Sequence, residues 1–139
     1  MTARYQLVEH TADVAIRVRG RDLGELYANF AYAVCDLLGK ADAVAPHDAI
    51  ALHLEAPDRE AMLVVLGNEL IYRRDAEDVL LPVLEVERAG DTELVAVARG
   101  ERADPARHEL RAGLKATTWH ELAVTATEDG LEAFVVFDV

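Results

Sequence analysis

His10-Thr11-Ala12-Asp13-Val14-Ala15-Ile16-Arg17-Val18 is the stretch from which the rest of the chain is read. Val14, Ile16 and Val18 fall on one parity, Ala15, Arg17 and Arg19 on the other. That is the period of a half-buried β-strand. Asp13 shares the parity of Arg17, so its carboxylate opens the strand on the outer face. Thr11 and Asp13 are also ordinary turn residues. Alone, the segment predicts a strand held by a turn; its chemistry depends on the far end of the chain.

Outward from it, Tyr5 to Val8 reads as a short strand, and Gly20 ends the strand from Val14. Asp22 has the place of a helix N-cap, with Glu25 three residues on. Leu23, Leu26, Tyr27, Phe30, Val34, Leu37 and Leu38 then recur at helical spacing until Gly39 supplies a stop. Cys35 lies beside this stripe with no cationic neighbour, which marks a small buried hydrophobe rather than a nucleophile. A strand at about residues 49–54 carries His53 on its polar parity, a solvated position. Pro57 and Asp58 open a second helix to about Arg74, with Leu63, Leu66 and Leu70 as its buried line. Asn68, Glu69 and Arg73 interrupt that line as surface groups, Glu69 being the one able to turn toward a site.

Beyond Asp78 the pattern predicts strands over 79–86, 94–99, 110–119, 120–127 and 131–139, with turns at Gly90-Asp91 and Asp129-Gly130. The expected fold is α+β: one domain over residues 1–139, two main helices on a mixed, mostly antiparallel sheet.

Composition narrows the function. The chain has 139 residues, 52% of them hydrophobic, enough for a packed core. No apolar run approaches the roughly 20 residues of a membrane span, and the N-terminus lacks a signal-peptide core. The expectation is a soluble cytoplasmic protein without a membrane partner. A formal charge of −12 repels phosphate backbones, which argues against direct tight nucleic-acid binding and favours cations or a basic protein. Serine is absent, as are phosphate loops and nucleophile elbows. His10, His108 and His120 lack the close spacing of a zinc site.

The last strand carries the second chemical signal. Leu131, Ala133, Val135 and Phe137 alternate with Phe134 and Val136, so it should be covered on both faces. It runs to Asp138 and Val139, which places a side-chain carboxylate beside the α-carboxylate. Uncompensated burial of such groups is costly. If the Val14 strand lies alongside, Asp13 adds a third acid, and three oxygen donors suit Ca2+, Mg2+ or Mn2+ better than zinc. A salt bridge from Asp138 to Lys115 or an arginine is the equal alternative.

Taken together, His10-Thr11-Ala12-Asp13-Val14 with Gly20, Asn68-Glu69-Leu70-Ile71-Tyr72, Asp104-Pro105 with Arg107-His108-Glu109, Lys115-Ala116-Thr117-Thr118-Trp119-His120 and Phe137-Asp138-Val139 resemble the archease family over nearly the whole chain. The resemblance implies a non-catalytic protein cofactor of the GTP-dependent RtcB-type RNA ligase of tRNA splicing and RNA repair, promoting guanylylation of the ligase and its repeated turnover. It implies a divalent cation, calcium before Mg2+ or Mn2+, on Asp13, Asp138 and the Val139 carboxylate. Lys115 and His120 fall in the lysine motif; His10, Glu69 and His108 are further candidates for supporting the site or activating the partner. Thr117 and Trp119 stand where the family pattern leads one to expect an aliphatic residue and a tyrosine, and Arg73-Arg74 where apolar residues are usual. Two rival readings are a small metal-dependent phosphoester hydrolase and a chaperone or modulator of RNA-modifying enzymes.

Overall fold

A computed structural model describes residues 4–8, 13–111 and 113–139. Its elements in chain order are β1 (Tyr5–Val8), β2 (Val14–Gly20), α1 (Leu23–Leu38), a 3-10 turn (Ala41–Ala43), β3 (Asp48–Glu55), α2 (Arg59–Glu77), β4 (Val79–Ala89), β5 (Glu93–Arg102), β6 (Ala116–Thr117), β7 (Ala123–Thr127) and β8 (Gly130–Asp138).

Both helices begin where their caps predict. The Asp22 carboxylate accepts from the Glu25 amide at 2.9 Å, and Glu25 in turn accepts from the Arg21 amide at 3.0 Å. Asp58 accepts from the Ala61 amide at 2.8 Å. Side-chain oxygens thus satisfy donors that the first helical turn leaves open. The α1 stop at Gly39 works differently from expectation. Its φ is −174°, extended backbone open to any residue. Glycine is needed there for space, because a Cβ would lie 3.1 Å from the His108 carbonyl oxygen and 3.2 Å from Leu80. Helix α2 runs to Glu77, beyond the expected Arg74, and stops at Asp78 in left-handed conformation with φ 57°. The added turn is laced by Arg73 to Glu69 and Glu77 and by Arg74 to Asp78, all four residues apart.

The expected sheet is two sheets. One has the order β1-β2-β8-β6, with β7 also paired to β8; the other has the order β3-β5-β4. Every pairing among the described strands is antiparallel. Helix α1 packs on β2 and β4, one strand from each sheet, and α2 lies against α1, β4 and β6. The core therefore sits around α1. Phe30 stacks on Phe137 at 6.1 Å and 12°, and Ile16, Leu26, Leu63, Leu66, Leu80 and Leu94 close around them without exposure. Burial pushes the Cys35 thiol up to about 12, helped by the neighbouring Asp36 charge, so it is the inert core residue expected.

The predicted strand over 110–119 shrinks to Ala116–Thr117, and that over 120–127 to Ala123–Thr127. The alternating pattern was real, but the backbone before Ala116 closes the end of α1. The Arg111 amide donates to the Leu38 carbonyl at 3.1 Å, the Lys40 amide donates to His108, and the Arg111 guanidinium donates to the Asp36 and Gly39 carbonyls. Helix carbonyls with no partner in their own helix find one here. Among the described residues, no helix is long and apolar enough to cross a membrane.

Candidate functional site

The site is built by strand register. β2 pairs with β8 so that Val14 faces Phe137 and Ala15 faces Val136. One residue further along, the same register sets Asp13 against Asp138. On the other side of β8, Ala116 faces Asp138 and Thr117 faces Phe137. Continued likewise, that pairing sets Lys115 against Val139, and the Lys115 amide donates to the Asp138 carbonyl at 2.8 Å. Residues at opposed positions of an antiparallel pair share a face, with Cβ atoms about 5 Å apart. Asp13, Asp138, Val139 and Lys115, far apart in the chain, thus meet at one end of the sheet.

This end is open to solvent. Asp13 is half-buried, Asp138 and Lys115 are exposed, and Val139 is 51% exposed. Strand β8 is covered through Phe137, and Asp138 and Val139 beyond it are exposed. Exposure keeps the desolvation cost of the Asp138 carboxylate small. Among the described residues, neither Asp138 nor Lys115 forms an ion pair, so the salt-bridge alternative for Asp138 is not what is seen.

The lysine segment is fastened from two sides. Thr118 donates through its amide and its hydroxyl to the Val136 carbonyl, each at 2.9 Å. The Thr117 amide donates to Asn68 Oδ1 of α2 at 2.8 Å. The Thr117 side chain is buried against Gly67, where a helical Cβ would stand 2.1 Å from its hydroxyl oxygen. Among the described residues, that hydroxyl has no hydrogen-bond partner. Asn68 is at the surface, as its break in the apolar line predicts, but its tie to Thr117 and the closeness of Gly67 are not legible in the sequence. Their signal, a helical Gly-Asn pair interrupting an apolar line, has no meaning until β6 is known to lie across it.

The remaining candidates separate. His120 is exposed, 3.5 Å from Glu121, its amide donating to the Thr118 hydroxyl at 3.2 Å. Glu69 is engaged by Arg73 at 3.0 Å along α2. His108 is fully buried in the connection after β5. Its Nδ1 accepts from the Asp104 amide at 2.8 Å, so Nε2 carries the proton and donates to Glu101 at 2.8 Å. Arg107 closes on the same carboxylate. His108 therefore anchors the loop that leads to Lys115. His10, with Thr11 of the same motif, lies outside the described residues.

Two aromatics are exposed: Trp119 at 61%, two residues beyond Thr117, and Tyr72 at 57%, one helical turn beyond Asn68. A cavity lined by Arg4, Arg19, Arg21, Glu25, Asn29 and Glu132 lies instead at the Gly20 end of β2. At the rise of a strand that is roughly 20 Å from Asp13.

Residues 5–139 match the Archease protein family. The chain is 31% identical to a protein archease of Methanosarcina acetivorans over 98% of its own length and 96% of that protein. It is 33% identical to a protein archease of Methanopyrus kandleri over 91% of each. In fold it is similar to the solution structure of a Methanobacterium thermoautotrophicum protein, with TM-score 0.79, 22% identity and coverage of 99% and 100%. A crystal structure of an archease and possible chaperone from Thermotoga maritima follows, with TM-score 0.65, 20% identity and coverage of 95% and 94%. With the family matched from β1 to the last residue, and Val14 of the first motif paired with Phe137 of the last, the chain belongs to the archease family.

Proposed function

We propose that this archease activates a GTP-dependent RtcB-type RNA ligase, promoting guanylylation and repeated turnover of the ligase while catalysing nothing itself. The observation that carries the reading is the β2–β8 register, which draws the acid of the first motif to the acid of the last. Asp138 and Lys115 are exposed, and so are Trp119, in the segment that follows Lys115, and Tyr72 of α2, side chains of the kind that anchor protein interfaces. With a formal charge of −12, the chain addresses a protein surface rather than the RNA phosphates.

Asp13, Asp138 and the Val139 carboxylate would hold a divalent cation, Ca2+ before Mg2+ or Mn2+. Such an ion supplies positive charge able to meet phosphate oxygens. Lys115, strapped to β8 through its own amide, orients the acids or meets a phosphate beside them. Asn68 and the buried His108 hold the segment that carries Lys115.

The test is single-turnover guanylylation of an RtcB-type ligase by GTP, with and without this protein. Acceleration is expected; identical rates overturn the reading. Phosphoester turnover by the purified protein alone would replace it with a hydrolase. Recovery of an RNA methyltransferase in place of a ligase in a pull-down would replace it with a broader chaperone role.

A further inference from the structure

We propose that His53, Glu55 and Glu93 form a second cation site, separate from the acidic tip and suited to zinc. In the β3–β5 register Glu55 stands directly across from Glu93. His53, two residues earlier on β3, shares their face. Like charges directly opposed across two strands destabilise the pair unless a cation offsets them. Each of the three side chains brings one ligand atom within 4.8 Å of the other two. His53 Nε2 is 2.8 Å from Glu93 and 3.8 Å from Glu55.

Two surrounding features fit a metal. Arg88 Nε donates at 2.9 Å to the Glu93 oxygen that His53 does not use. It holds that carboxylate from behind, as outer partners orient metal ligands. Arg88 also offsets just one of the two carboxylates, so a neutral imidazole leaves the cluster one negative charge in excess. Next to it lies a hollow lined by Glu55, Ala56, Pro57, Thr92 and Glu93, with room for water. One imidazole nitrogen, two carboxylate oxygens and an open position form a zinc donor set, unlike the all-oxygen tip. Zinc there replaces the His53–Glu93 hydrogen bond and ties edge strand β3 to β5, just ahead of the Asp58 cap of α2. The inference is independent of the ligase reading.

Titration of the tag-free protein with Zn2+ in excess Mg2+ and Ca2+, followed by calorimetry and thermal melting, tests it. The expected result is one bound zinc and a raised melting temperature. His53→Gln and Glu55→Gln should each weaken zinc binding at least about tenfold. Both should melt like the wild type without zinc, and Asp138→Asn should bind zinc as the wild type does. No zinc uptake by the wild-type protein, or equal uptake by His53→Gln, overturns the site.

Discussion

Asn68 Oδ1 accepts the Thr117 amide proton at 2.8 Å, so a helix side chain completes the pairing of a two-residue strand. Among the described residues, strand β6 pairs with one strand, β8, and on its other side the Asn68 contact takes the place of a sheet partner. Asn68→Ala is expected to cost about 1 kcal/mol, the ordinary worth of one such bond. Amide exchange at Thr117 should accelerate far more than exchange in β8. Unchanged protection at Thr117 would show that β6 does not depend on α2.

Gly67 lets that helix and strand touch. Alanine is the better helix former by about 1 kcal/mol. Here its methyl would lie 2.1 Å from the Thr117 hydroxyl and 3.1 Å from the Phe30 ring. Gly67→Ala should therefore destabilise by about 1–3 kcal/mol, as overpacked cores do. Gly67→Ala combined with Thr117→Ala should recover part of the loss in thermal melts.

Thr117 itself carries a buried hydroxyl with no partner among the described residues, at a position where the family pattern leads one to expect an aliphatic residue. Thr117→Val removes the unsatisfied group and should stabilise by about 1 kcal/mol. Denaturant unfolding with an unchanged slope checks it. A loss of stability would mean that the hydroxyl is satisfied in solution.

The loop before Lys115 should fail in acid. Burial raises the Glu101 carboxyl, but hydrogen bonds from Arg107 and His108 outweigh it and hold the group below its ordinary value of 4.5. A depressed carboxyl contributes stability above its unfolded pKa and loses it as pH falls through the folded value. Loop protection should thus hold at neutral pH and decline below about 4.5. Glu101→Gln should flatten that acid limb in amide exchange at 104–111, which His108→Ala should weaken at all pH values.

At the tip, Asp138→Ala should fold within about 0.5 kcal/mol of the wild type, because its side chain is exposed, and Asp13→Ala, at a half-buried position, should fold as well. Both should abolish stimulation of the ligase. Calcium should raise the wild-type melting temperature and leave either variant unmoved. A calcium shift that survives both substitutions would place the ion elsewhere.

Local sequence determined the helices, their Asp22 and Asp58 caps, and a last strand covered on both faces, because capping and apolar periodicity act over a few residues. It also pointed to Asp13, Asp138 and Val139, through motifs at both ends of the chain. Only the tertiary structure decided that these ends adjoin, since the pairing of Val14 with Phe137 depends on both strands covering α1. It likewise turned the alternating stretch over 110–115 into a cap for α1 and gave Asn68 and Gly67 their places against Thr117. A period of two states which side of a chain is apolar, and a helix end with open carbonyls can take up that backbone before a strand does.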